Sequence, residues 1–491
     1  MSLRGDLLAL AATGVAAALV GPGCAEATSV PLTARPPTPL LGPLPTFGML
    51  GEGGGIAPIL RARAPITLVR VLDLAGDAPN LVRLARTKLA EVDAGLHERQ
   101  ADVLLPTLQI VNEFEVHQGA IEMQQSSAFA TTGRRDFLGL RILKDWDVFG
   151  GYEELSARTL ERDAEREELG SVKLTSYEDG ALGYFDLEQA QADVAIAREA
   201  LARAEEFLAV ATAREQEKLG LTVDRLQAES EVAKRAEAAV AAEEAFRVAS
   251  ATLATFLRLD PTVLFFSDEA AVRPITFVPP DTDVDVLIRS AYETRPDLRE
   301  ARDRIRAQEH ELTGAQIGPF LPHVVLGLDG HNGGLGLEFP GARFGEPKGR
   351  ADYYVGLRWD VVGGGAADYF HARLDAARVA TATVQAQDRS EHVARQIIEA
   401  HEAVRSRYLA IEAARHQVTA SEEAWNIALK RLKEGVGLAV DVLAANEART
   451  TAQTRLVDAI TLYNKNQFKL LARMGEKPDV RDFVGARAPT R

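Results

Sequence analysis

The sequence predicts a mostly α protein with a small β part, built as two copies of one unit. Three observations predict this. First, short segments recur in the same order: Ala78–Pro79–Asn80–Leu81 as Arg295–Pro296–Asp297–Leu298, Leu105–Pro106 as Leu321–Pro322, Trp146–Asp147–Val148 as Trp359–Asp360–Val361, and Pro261 as Pro478. Asp224 to Ala228 likewise returns as Asp441 to Ala445, and all five offsets lie between 213 and 217 residues, so the copies cover about 79–261 and 296–478. Second, each copy carries a sustained heptad pattern, the mark of a coiled-coil seam. Third, each copy carries one pair of candidate strands; in 353–361, Tyr353, Val355, Leu357, Trp359 and Val361 alternate with Tyr354, Gly356, Arg358 and Asp360.

Composition agrees. A chain of 491 residues has room for about three ordinary domains. Fifty-six basic against 71 acidic side chains leave a net charge of −15, which argues against nucleic acid as a partner. Aromatics are only 6%, thin for a globular enzyme core, and abundant alanine favours long helices packed through small residues. The single cysteine, Cys24, excludes an internal disulfide and a zinc knuckle.

Residues 1–23 read as an export signal: Arg4, an apolar run from Leu7 to Val20 too short to span a bilayer, then Gly21 and Gly23. Cys24 is either the acylated first residue of a lipoprotein or lies beside an ordinary cleavage site; both readings imply export. Residues 24–65 form a Pro/Gly-rich extension. The first repeat, 66–261, holds a helix at 80–104, a strand pair within 105–149 and a helical hairpin at 152–258. An inter-repeat linker, 262–295, follows. The second repeat, 296–478, holds a helix at 297–318, a strand pair within 321–362 and a hairpin at 366–474; a tail, 479–491, ends the chain. Heptads run through Leu187, Val194, Leu201 and Leu208, and through Ile397, Val404, Ile411, Val418, Trp425 and Leu432. Gly170, Gly180 and Gly183 predict a break in the first long helix. Gly-rich residues 331–350, and 119–135 in the first copy, read as hairpin loops.

A membrane strand needs about 9–11 residues, and the candidates fit. Four strands cannot close a barrel, since the smallest have about 8, and an open sheet in lipid would leave backbone groups unpaired. If these strands span a membrane, several chains share one wall. A soluble sheet patch is the other reading of the same pattern.

The Pro296–Asp297–Leu298 start, the Leu321–Pro322 step into a strand, Tyr184–Phe185–Asp186–Leu187, the stretch from Gly435 to Ala445 and the duplication together resemble the outer-membrane efflux protein family, the TolC-like channels, over roughly 66–478. The resemblance implies a homotrimer. Its coiled coils would form a periplasmic α-barrel, and four strands per chain would contribute to a shared 12-stranded transmembrane β-barrel in outer-membrane lipid. It further implies a passive duct of a tripartite efflux or type I secretion system, with a periplasmic adaptor (membrane fusion) protein and an inner-membrane pump as partners, and no chemistry. The rival reading is a periplasmic coiled-coil adaptor or structural lipoprotein without a pore.

Three sets of residues are candidates for function. Leu219, Gly220, Leu221 and Thr222, with Val436, Gly437 and Leu438, occupy matching hairpin tips, and the resemblance places adaptor contact there; the plainer reading is two glycine turns. Asp441 follows the second tip and would form an acidic ring at the aperture in a trimer, or act as a helix-dipole partner, as Asp224 would in copy one. Trp146 and Trp359 stand near equivalent strand ends, where an interfacial girdle would lie. No HExxH, phosphate loop or dinucleotide fingerprint occurs, so no catalytic residue, metal site or cofactor is expected.

Overall fold

The computed structural model describes residues 62–122, 128–269, 271–337 and 348–478. The export signal, Cys24, most of the extension and the tail lie outside the described residues. Copy one runs β1 (Ala62–Ile66), α1 (Leu68–Ala75), α2 (Asn80–Leu104), β2 (Thr107–Glu122), β3 (Ala128–Trp146), α3 (Val148–Gln216), α4 (Thr222–Phe256) and β4 (Val263–Ser267). Copy two runs α5 (Val284–Thr294), α6 (Pro296–Ile317), β5 (His323–Leu337), β6 (Lys348–Arg358), α7 (Ala366–Lys433) and α8 (Ala439–Met474). The long helices α3 and α7 have 69 and 68 residues, each about 100 Å at the usual rise.

The long helices are held by the predicted seams. Val194 of α3 and Ile397, Val404, Ile411, Trp425 and Leu432 of α7 are buried, and alanines at 204, 211, 228, 439 and 445 let neighbouring helices approach closely. Toward the turns, Phe207, Trp425, Leu429 and Val442 close one core; midway, Phe185, Leu253, Leu257 and Phe468 close another.

Several expectations are corrected. α3 is unbroken through Gly170, Gly180 and Gly183. These glycines mark close approaches instead: a Cβ on Gly180 would stand 2.9 Å from the Ala75 methyl of α1, one on Gly183 3.3 Å from Leu253 of α4, and one on Gly170 3.4 Å from Pro296 of α6. Packing against three other helices outweighs glycine's local helix cost of about 1 kcal/mol. The Pro79–Asn80 and Pro296–Asp297 pairs read as N-cap arrangements, yet neither Asn80 nor Asp297 caps its helix; Asn80 accepts from Arg258, and Asp297 takes a two-pronged bond from Arg295 at 2.7 and 2.8 Å. Val148 and Phe149 open α3 rather than closing a strand, because Asp147 caps the helix by accepting from the Gly150 N–H at 2.8 Å. The strands also run further than expected. β2 and β3 pair from Thr107↔Leu143 to Glu122↔Ala128, and β5 and β6 from His323↔Arg358 to Gly333↔Lys348, so much of 119–135 and 331–350 is ladder rather than loop.

The linker 262–295 is more ordered than its sequence suggests. β4 pairs in parallel with β1, and the extended residues after it are bound by α8. Asn464 and Gln467, both fully buried, act as a substitute strand: Asn464 accepts from the Ile275 N–H at 2.7 Å and donates to the Arg273 carbonyl at 2.8 Å, while Gln467 accepts from the Phe277 and Val278 N–H groups and donates to the Val278 carbonyl.

Candidate functional site

Four antiparallel strands form one sheet in the order β2-β3-β5-β6, so the second strand of copy one pairs with the first strand of copy two. Alternation sorts the side chains between two faces. One face carries Leu108 and Ile110, Leu138, Leu140 and Ile142, then Val324, Leu326 and Leu328, then Tyr353, Val355 and Leu357, which the register sets side by side. Tyr353 is 84% exposed, Ile110 83% and Val355 76%. The opposite face is mixed, with Gln109, Arg141, Asp329, Tyr354 and Arg358 among Val111, Leu143 and Val325; Arg141 pairs with Asp329 at 2.6 Å, and the Tyr354 ring lies over Gly327, which has no Cβ to obstruct it. Monomeric soluble proteins rarely expose an apolar face of this extent. Among the described residues β2 and β6 are edge strands, each with a row of backbone groups that no other strand pairs.

Where the sheet meets the helices, Trp146 ends β3 and donates its indole N–H to the Val103 carbonyl at 2.9 Å, while Trp359 lies just past β6 and is exposed. The two tryptophans thus hold matching sequence places with different engagement. Nearby, Asp145 accepts from Arg358 and lies 3.2 Å from the His323 ring, tying β3, β5 and β6 together.

The two hairpin turns lie at the other end of α3 and α7. Each exposes an apolar cap: Leu219, Leu221, Val223 and Leu226 in the first, Val436, Leu438 and Val440 in the second. Thr222 is exposed as the first residue of α4. A Cβ on Gly437 would stand 2.8 Å from the Leu432 nitrogen, and one on Gly220 2.9 Å from the Arg214 Cβ, so both turns need glycine at that place. Gly435 sits at φ +83°, and the matching residue of copy one, Lys218, adopts φ +59° without glycine's freedom. Asp441 and Asp224 both occupy the first turn of their helices, where a carboxylate complements the helix dipole. Asp441 is exposed and Asp224 half-buried.

Between sheet and turns, copy one holds buried acids that the sequence reading missed. Burial, with repulsion from Glu269 second, pushes the Glu188 carboxyl up to about 7. Burial and then Asp458 push Asp193 up to about 6, and Asp458 accepts from Gln189 at 2.6 Å. Flanked by alanines and charges, these acids look in sequence like an ordinary solvated helix face. Among the described residues no cluster of His, Cys, Asp and Glu is arranged to hold a metal ion, and no helix is long and apolar enough to cross a membrane.

No protein-family model matches the sequence, and no curated protein does. Solved structures do match. The Campylobacter jejuni CmeC outer-membrane channel is 17% identical with a TM-score of 0.69, over 85% of this chain and 88% of that one. The outer-membrane protein VceC of Vibrio cholerae is 18% identical with a TM-score of 0.67, over 83% and 96%. The open state of the Neisseria gonorrhoeae MtrE outer-membrane channel is 19% identical with a TM-score of 0.65, over 83% and 89%. The fold of this chain is that of the TolC-like outer-membrane channels.

Proposed function

We infer that three copies of this chain form a channel through the outer membrane, the passive exit duct of a tripartite efflux or type I secretion system. The observation that carries this reading is the sheet: eleven apolar side chains on one face, an ion-paired mixed face behind them, and two open edges. Lipid accounts for the apolar face, a water-filled lumen for the mixed one, and neighbouring copies for the edges. Three copies supply twelve strands, and the helices α3, α4, α7 and α8 of each copy extend the duct through the periplasm. Trp146 and Trp359 mark the interface between lipid and water.

The exposed apolar turns, whose tight reversals need glycines 220 and 437, are the surface for a periplasmic adaptor, which links the duct to an inner-membrane pump. Asp441, repeated around the axis, gives the aperture an acidic ring. Export puts the protein in this compartment, and Cys24 supplies a lipid anchor there. The duct performs no reaction.

The test is conductance. Full-length protein purified in mild detergent and added to planar lipid bilayers is expected to give discrete cation-preferring current steps, and Asp441→Asn to reduce that preference. A protein that stays in the membrane fraction through a carbonate wash supports the reading. Release by the wash with no current steps would favour the poreless adaptor instead.

A further inference from the structure

We propose that Arg431 of one copy clamps the first hairpin turn of a neighbouring copy, as Arg214 clamps the second turn within each chain. The proposal rests on the channel reading, because it needs a neighbour, and it names a contact that reading leaves open.

The two turns are built bond for bond alike. In the first, the Leu219 and Gly220 N–H groups both donate to the Arg214 carbonyl at 2.8 and 3.0 Å; in the second, the Val436 and Gly437 N–H groups both donate to the Arg431 carbonyl, each at 3.0 Å. Arg214 and Arg431 are thus one position, 217 residues apart. Arg214 uses its side chain to join the turns. One guanidinium nitrogen donates to the Leu432 carbonyl at the end of α7, and another to Leu219 of its own turn at 3.1 Å. The counterpart of Leu432 in copy one is Glu215. Its carbonyl takes the Lys218 N–H at 2.9 Å and the cap N–H of Glu217, as that of Leu432 takes the Gly435 N–H at 3.0 Å and the cap N–H of Glu434, and the Leu432 carbonyl accepts the Arg214 guanidinium in addition.

Within one chain the link from first turn to second exists, and the link from second turn to first has no partner to reach. Arg431 is exposed and makes no side-chain hydrogen bond or ion pair among the described residues. In a closed ring of copies the second turn faces the next copy's first turn, and the same interface recurs head to tail. Arg431 then meets the neighbour's Glu215 carbonyl. The other links between the hairpins do not extend this way. Arg203 to Asn446 and Arg235 to Glu447 depend on arginines whose counterparts are Ala420 and Ala452, and Lys433 to Glu206 on a lysine whose counterpart is Gln216. The Arg214 link survives duplication because its acceptor is main chain and only its donor had to be kept.

The experiment uses full-length protein carrying Arg431→p-benzoylphenylalanine, purified in mild detergent and irradiated. The expected result is denaturing-gel bands at two and three times the chain mass, with the adduct mapped to residues 214–221. Assembled protein that yields only single chains, or adducts elsewhere, overturns the clamp and leaves the channel standing. Protein that is a single copy before irradiation overturns both. Phenylglyoxal labelling of the unsubstituted protein is the second readout: Arg431 and Arg214 are both expected to react about tenfold more slowly than in the unfolded chain, as a charge-assisted hydrogen bond implies. Arg431 reacting at the unfolded rate beside a protected Arg214 would likewise overturn the clamp.

Discussion

The two copies meet one packing problem with opposite side chains. In copy one α1 lies directly on α3, and the contact position is Gly180, with room for nothing larger beside Ala75. In copy two the helix at the matching place is α5, and the residue matching Gly180 is Ile397, fully buried in the same core as Leu287 and Ala291 of that helix. One copy brings the helix in and removes the side chain; the other keeps the side chain. The difference teaches that duplication preserved the order of elements and the turns while each core was repacked by itself, so a residue is interpretable only with its partner helix.

Exchanging these residues is the harshest test. Gly180→Ile forces atoms into the Ala75 contact, and Ile397→Gly leaves a cavity; each is expected to cost about 3–5 kcal/mol, read as a fall in the unfolding midpoint in detergent. If Gly180→Ile is neutral, α1 does not pack as described. At the turns the asymmetry is smaller. Gly437→Ala meets main-chain atoms that cannot move away, and is expected to cost about 2 kcal/mol. Gly220→Ala meets one close atom, the Arg214 Cβ at 2.9 Å, against three within 3.0 Å at Gly437, and is expected to cost about 1 kcal/mol in the same melt.

The acids Glu188 and Asp193 have no acidic counterparts in copy two, where the matching residues are Arg405 and Ala410. Their folded pKa values lie above the ordinary carboxylate range, so the folded chain holds more protons than the unfolded one between about pH 4.5 and 7. Stability should therefore rise as pH falls through that window and decline as pH climbs. Glu188→Gln is expected to stabilise the protein at pH 8 by on the order of 2 kcal/mol and to gain nothing at pH 4. Melting curves across pH check this, and an unchanged slope would show that Glu188 is solvated. The smallest effect belongs to Lys218→Gly, which relieves a left-handed lysine and is expected to add about 0.5 kcal/mol after glycine's entropy cost.

Much of the fold is legible in the sequence because it is periodic. The seam residues of α7 recur every seven positions, and β6 alternates through Tyr353, Val355 and Leu357. What was not legible depends on partners far away in the chain. Gly180 reads as a helix breaker because its reason, Ala75, lies over a hundred residues earlier. Asn464 and Gln467 read as solvated helix positions because the strand-like segment they hold, 273–278, has no alternation of its own. At the candidate site, the glycine turns and the alternation of β6 are visible in sequence. The role of Arg214 is not, since a basic residue near a helix end is also the ordinary complement to the dipole.

The central claim is that this sheet is one part of a wall completed by other copies. Native mass spectrometry of the full-length protein released from mild detergent tests it most directly. The account predicts a particle of three chains; a particle of one chain, with Ile110, Tyr353 and Val355 open to water-soluble labelling, would contradict it.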